Sequence, residues 1–347
     1  MPSPYDSLPP SAYWRPAISD RNPLELAEIY RRKFAISAED RVACAGSCFA
    51  QHVGRRLRQG GFTYVDIEPP PPMLPASEHG KFGYGLYSAR FGNIYTARQL
   101  FQLFERAYGR FQPSDAIWET NGRFHDAFRP TIEPAGFASA EELVALREAH
   151  LRRTRALFET VDVFVFTLGL TEAWVSRVDG AVYPMCPGTA AGIFDESRYE
   201  FVNFGFADIL GDMDALIAAW RAINPGVRFI LTVSPVPLTA TASGEHVLVA
   251  TSYSKSVLRA VAGELSRRDH VDYFPSFELI SAPSQRGIFF APNMRSVSET
   301  GVSYAMGYFF DQHRLSGASA PPGLSAATGM TDDDVICDEI LLDPELT

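Results

Sequence analysis

The chain has 347 residues, of which 46% are hydrophobic, enough apolar side chain to bury one large core or two small ones. Its net charge is −10, from 31 Lys+Arg against 41 Asp+Glu, so it lacks the basic surface that nucleic acid or an anionic membrane requires, and neither is expected as a partner. No basic segment leads into an apolar stretch at the N-terminus and no apolar run is long enough to span a bilayer, which predicts a cytoplasmic protein without signal peptide or transmembrane helix.

Residues 1–22 contain five prolines and little periodicity, and read as an arm laid over the surface. A helix is expected over Pro23–Phe34, completing an N-terminal unit of residues 1–37; the main domain then spans 38–315. It opens with the apolar run Asp40 to Gly46, which stops at Gly46-Ser47 and gives way to helical spacing (Phe49, Val53, Leu57) up to Gly60-Gly61. That is a strand, a sharp turn and a helix. Apolar runs of the same kind occur at Thr63 to Ile67, Val161 to Thr167, Arg228 to Val233 and Val271 to Phe274. Between them lie amphipathic stretches at Ala97 to Arg106, Ser139 to Phe158, Phe206 to Ile223 and Val249 to Arg267. Strands apolar throughout, separated by helices, predict a parallel sheet covered on both faces: a three-layer α/β/α, doubly wound, flavodoxin-like fold with long loop insertions.

Two insertions stand out. Glu68 to Phe91 is rich in Pro and Gly and is expected to run over the carboxyl edge of the sheet; Ala173 to Asn203 is expected to hold a hairpin, Trp174–Val178 with Val182–Met185, turning at Asp179-Gly180. The tail, 316–347, has a Gly/Ser/Ala/Pro bias followed by Thr331-Asp332-Asp333-Asp334, and reads as flexible and acidic. The four cysteines, Cys44, Cys48, Cys186 and Cys337, are too scattered for a disulfide framework or a zinc site, so no metal is expected. No Gly-x-Gly-x-x-Gly or Gly-Lys-Ser loop follows a strand, and no cofactor is expected.

In an open parallel sheet, ligands bind outside the carboxyl ends of the strands. The first strand ends at Ser47, where a hydroxyl faces the crevice and the amides opening the next helix face any developing oxyanion; a serine there can equally be a helix cap. Gly92-Asn93, before a helix, offers a backbone N–H and an amide to the same place, although a glycine there also suits a turn. The remaining strand ends carry Leu168-Gly169-Leu170-Thr171-Glu172 and Ser234-Pro235-Val236-Pro237-Leu238, the latter leading to His246.

These blocks resemble those of the GSCFA family, a bacterial group akin to SGNH/GDSL esterases. Gly46-Ser47-Cys48-Phe49-Ala50 is the pentapeptide that names the family. Phe91 to Thr96, Thr167 to Trp174, Val233 to Leu238 and Tyr253-Ser254-Lys255-Ser256 resemble its further blocks in the same order, over about residues 38–310. The resemblance implies an SGNH-like sandwich with Ser47 as nucleophile, the amides of Ser47 and Gly92 as oxyanion donors, and Thr171 or Glu172 where such enzymes carry an Asn. It also implies a small-molecule or saccharide O-acyl substrate.

One departure bears on mechanism. SGNH enzymes supply their base from an Asp-x-x-His pair before the last helix, and Asn293 and Ser296 fall there instead. Another residue must then serve as base, or the serine is not catalytic. His246, after the fourth strand, is the histidine expected on the catalytic edge; His125 is the second choice, while His150 and His270 read as surface positions. Arg90, Arg129 and Lys255 are candidates for holding an anionic substrate group, against a reading as ordinary surface ion pairs, and Asn93 and Glu172 are further candidates for substrate contact. Cys48, at a helix N-terminus, is a competing thiol nucleophile. Serine esterase or acyltransferase and non-catalytic ligand-binding protein are the two functions compatible with these residues.

Overall fold

A computed structural model describes residues 3–314 and 338–342. The elements, in chain order, are β1 (Arg41–Gly46), α1 (Phe49–Gln59), β2 (Thr63–Tyr64), α2 (Ala97–Ala107), β3 (Ile117–Thr120), β4 (Arg123–Asp126), α3 (Ala140–Thr160), β5 (Val163–Leu168), β6 (Glu172–Ser176), β7 (Val182–Tyr183), β8 (Tyr199–Asn203), α4 (Phe206–Ile223), β9 (Arg228–Val233), α5 (Val247–Leu265), β10 (Val271–Tyr273), α6 (Ser276–Ser281) and α7 (Glu299–His313).

Five strands form the main sheet in the order β2-β1-β5-β9-β10, and every neighbouring pair is parallel. Counting only these five, the order is 2-1-3-4-5, the doubly wound arrangement in which the chain reverses its winding direction between the first and third strands. The reversal leaves a crevice between the carboxyl ends of β1 and β5. In that register Gly46 lies opposite Thr167.

Alternate residues of each strand feed opposite faces, and two apolar clusters result. On one face Val42, Cys44, Val163, Val165 and Ile230 pack with Phe49, Val53 and Leu57 of α1 and with Leu279 and Phe309 from α6 and α7. On the other, Ala43, Ala45, Phe164, Phe166, Phe229 and Leu231 pack with Leu100 and Phe104 of α2, Leu157 and Phe158 of α3, Trp220 of α4 and Leu258 of α5. This is the three-layer α/β/α architecture expected from the apolar runs.

The expected hairpin in the second insertion is present: Trp174 pairs with Tyr183 and Val175 with Val182. A third strand, β8, extends it antiparallel to β6. Another hairpin, β3 with β4, turns at Asn121-Gly122, both at positive φ, as an Asn-Gly turn favours.

The helix expected over Pro23–Phe34 is absent; the segment is a series of turns. Glu28 has φ 58, which no helix tolerates, and the hydroxyl of the buried Tyr30 donates to Asp272 Oδ2 at 3.0 Å and lies 2.8 Å from His313 Nε2. Distant partners fix this segment, not local periodicity. The tail also differs from expectation in part, because Asp338–Leu342 form a 3₁₀ turn; the rest of the segment 316–347, with Cys337, lies outside the described residues. Among the described residues no helix is long and apolar enough to cross a membrane.

Candidate active site

Ser47 follows β1 directly, and two features force its position. Gly46 adopts φ 144, and a Cβ there would come within 2.5 Å of the Thr167 carbonyl oxygen, so only glycine lets β1 approach β5 this closely before the turn. The Ser47 N–H then donates to that same carbonyl at 3.3 Å, while its own carbonyl accepts from Ala50 as α1 begins. The expectation that the Ser47 amide is an oxyanion donor is therefore corrected: in this structure it is engaged across the sheet.

The segment Gly92–Tyr95 threads between the ends of β1 and β5. The Ile94 N–H donates to the Gly46 carbonyl at 2.9 Å, and the Tyr95 carbonyl accepts from Gly169 and Leu170 at 3.1 and 2.9 Å. Gly92 takes a left-handed conformation, φ 67. Gly169 presents its bare Cα to the serine. The ends of β1 and β5 and the segment around Ile94 and Tyr95, three separate stretches of sequence, thus meet beside Ser47.

Ser47 is only 3% exposed, and its Oγ has no hydrogen-bond partner among the described residues. Neither does Oγ1 of Thr167 or of Thr171, both completely buried. Buried hydroxyls without partners are uncommon and costly, on the order of 1–3 kcal/mol each, so a group of them along one strand end marks a place where something other than folding sets the residue. The Thr171 N–H is taken by Ser254 Oγ at 3.2 Å, leaving its hydroxyl as its free polar group. Lys255, also expected at the site, is buried and donates from Nζ to the Gly169 carbonyl at 2.7 Å, so it braces the strand end instead of lying on the surface.

Beside this point lies a cleft of about 310 Å³ lined by Leu170, Glu172, Trp174, Met185, Cys186, Phe201, Leu238 and Thr241, with Glu339 and Leu342 of the tail. Ser47 does not line it; the cleft begins at Leu170, one residue beyond the glycine that covers the serine. Glu172 accepts from Thr241 Oγ1 at 2.7 Å, and burial raises its pKa, an effect that Thr241 and the Ala242 amide offset in part. Burial pushes the Cys186 thiol up to about 11, which keeps it protonated near neutral pH. Cys48, the competing nucleophile, is buried at the start of α1.

No histidine hydrogen bonds to Ser47 Oγ. His246 is exposed at the N-cap of α5, where Nδ1 accepts from the Leu248 N–H at 3.2 Å. His125 is buried in β4, with Nδ1 3.3 Å from the Pro130 carbonyl. His52 is buried on α1, and burial, reinforced by Arg55 and Arg56, lowers its pKa to about 3. Asn293 and Ser296 bond to each other at 3.0 Å, Asn293 Oδ1 also accepting from the Arg295 and Ser296 amides, so this loop is a closed turn at the place where the resemblance implies a dyad.

The surface reading of Arg90, Arg129 and His150 is corrected. Arg90 pairs with Glu133 at 2.8 Å, Arg129 with Asp126 at 2.9 Å, and His150 Nδ1 lies 2.6 Å from Glu68 Oε2; all six groups form a largely buried network beneath the Pro/Gly-rich loop. Both arginines are consumed by these pairs and are not free for substrate. Arg106 and Arg147 extend the same theme of internal cations, of which periodicity alone gives no sign.

Asn93 is the residue whose surroundings sequence reasoning missed. Gln51 Nε2 donates to the Tyr87 hydroxyl at 3.1 Å, Tyr87 donates to Asn93 Oδ1 at 2.5 Å, and Asn93 Nδ2 donates to Asp338 Oδ2 at 2.8 Å. The order of donors fixes the carboxamide with its NH₂ toward the tail.

Among the described residues no cluster of His, Cys, Asp and Glu could hold a metal ion. No curated protein and no solved structure matches the chain. The GSCFA family pattern matches residues 41–309, which hold the whole sheet, Ser47 and the segments packed around it, and the chain belongs to the GSCFA family.

Proposed function

We propose that this protein is an SGNH-like serine esterase or acyltransferase acting on an O-acyl group, of a small molecule or a saccharide, in the cytoplasm. The observation that carries the reading is the Ser47 hydroxyl: buried at the switch point of the sheet, at the start of a helix, and without a hydrogen-bond partner. In the proposed reaction Ser47 Oγ attacks the acyl carbonyl carbon, its proton passes to a base, and the alcohol leaves with a proton. Water or a second alcohol then takes the acyl group from the serine and restores the hydroxyl. Amides at Gly92 and Asn93 and the Thr171 hydroxyl are the donors proposed for the oxyanion.

A second reading, a ligand-binding protein of the same architecture that performs no chemistry, is favoured by the self-paired Asn293 and Ser296 and by the capping role of His246. Labelling by a fluorophosphonate probe across pH 6 to 9 decides between them. Labelling that disappears in Ser47→Ala supports acyl transfer. Its absence over the whole range, in a folded sample freed of the tail contact described next, gives the binding reading.

A further inference from the structure

Asp338 and Glu339 are buried, and each carboxylate is held by a group from a distant part of the chain. The Asp338 carboxylate accepts from Asn93 Nδ2 at 2.8 Å, from Thr131 Oγ1 at 2.7 Å and from the Asn93 backbone N–H. The Glu339 carboxylate pairs with Arg295 at 2.8 Å, in the turn between Asn293 and Ser296. Glu339 and Leu342 also line the cleft itself.

Among the described residues, the groups that bond to the Asp338 carboxylate are all donors. Asn93 cannot turn its carbonyl toward it, because Tyr87 already holds Oδ1. Three convergent N–H and O–H groups, with Ile94 one residue away bonded to the residue preceding Ser47, suit the two oxygens of a carboxylate. The Asp338 side chain, a carboxylate on a single methylene, has the shape of acetate.

We infer that Asn93 and Thr131 form a subsite for a short carboxylate or the acyl group that yields it, and that the 338–342 segment occupies this subsite as an internal competitor of substrate. The inference rests on reading the cleft as the substrate site. Removing the Asp338 carboxylate takes away an acceptor that Asn93 and Thr131 share, and a ligand carboxylate can replace it. A tethered competitor binds as an intramolecular partner, so a free ligand must outcompete it to reach the subsite.

The test uses the full-length chain carrying D338A and E339A, with Arg295→Ala as a second route to release should the first variant fold poorly. A fluorescent peptide of residues 336–344 is titrated by anisotropy, and Ser47 labelling is timed in parallel. The expected result is peptide binding to the released variants at least about tenfold tighter than to wild type, lost when Asn93→Ala is added, weakened by millimolar acetate, and accompanied by labelling at least about tenfold faster. Equal peptide binding to wild type and variants, or binding to none, overturns the inference. The two readings separate cleanly: peptide exchange without any labelling keeps the docking and removes the nucleophile, whereas equal rapid labelling without peptide binding keeps the nucleophile and removes the docking.

Discussion

Gly169 and Ser47 share one space at the end of the sheet: a Cβ built on Gly169 would lie 2.8 Å from Ser47 Cβ and 3.4 Å from its Oγ. Carbon atoms do not approach to 2.8 Å, and the same Cβ would also crowd the Tyr95 carbonyl oxygen at 3.1 Å. Gly169→Ala must therefore move the serine or the strand end. Such overpacking costs typically about 1–3 kcal/mol. The expected outcome is a lowered Tm with labelling of Ser47 reduced more than tenfold in the fraction that remains folded. A variant with wild-type stability and labelling would show that the serine does not depend on this contact.

How much of this was legible in the sequence depends on the range of the interactions that fix each part. β1, β5 and β9 are apolar at nearly every position because they are covered on both faces, so their runs could be read directly. The Gly-Ser turn followed, since a glycine ending an apolar run before helical spacing is a local signal. Tyr30 illustrates the opposite case: Leu26 and Tyr30 are spaced as on a helix, but Asp272 and His313, more than two hundred residues away, hold the tyrosine in a turn. His150 follows the same logic. Its burial on α3 comes from a loop carrying Glu68, and the helix pattern contains no hint of that loop. Nor could composition show that Asp338, in an acidic tail, meets Asn93, because acidity is an average and the contact depends on one residue.

His246 offers two separable outcomes. As the cap of α5 its loss costs about 0.5–2 kcal/mol, and Asn in its place should restore most of that. As the general base its loss would cost roughly a hundredfold or more in acyl release. The acceptor role of Nδ1 leads to the first outcome: His246→Ala lowers Tm slightly, His246→Asn recovers it, and the rate of Ser47 labelling changes less than threefold in either. A hundredfold drop in both variants would restore His246 to the mechanism.

Asp126 is the centre of the internal cation network. It is buried, with Arg129 at 2.9 Å and Arg147 at 3.2 Å, and Arg106 lies over the Phe128 ring at 3.7 Å nearby. Burial alone would raise its pKa, yet the three arginines outweigh burial and hold it well below the usual carboxylate range. Asp126→Asn leaves buried guanidinium groups without their counter-charge, a loss of about 3–5 kcal/mol. Urea denaturation should show a midpoint shifted down with little change in slope. An unchanged midpoint would mean that the arginines find other acceptors and that the network is not cooperative.

The Glu68–His150 pair sets how stability depends on acid. Burial, then the Arg129 guanidinium, lowers the His150 pKa from 6.5 to about 4, so the folded protein holds the ring neutral, donating from Nδ1 to Glu68. For Glu68, burial works toward a higher value, but His150, Arg129 and the Arg90 amide overcome it and bring the pKa from 4.5 to about 2. Asp126 and Arg153 also face this pair. Both groups are lower in the folded state, so each contributes stability that is complete above its unfolded value and is lost as pH falls. His150 begins the loss near pH 6.5 and completes it near pH 4, worth on the order of 3 kcal/mol; Glu68 continues it from about 4.5 toward 2. His150→Gln keeps an N–H donor for Glu68 but cannot titrate, so its unfolding free energy should stay level from pH 7 to about pH 5 while that of the wild type declines. Parallel pH profiles for the two proteins would place the acid-sensitive group elsewhere.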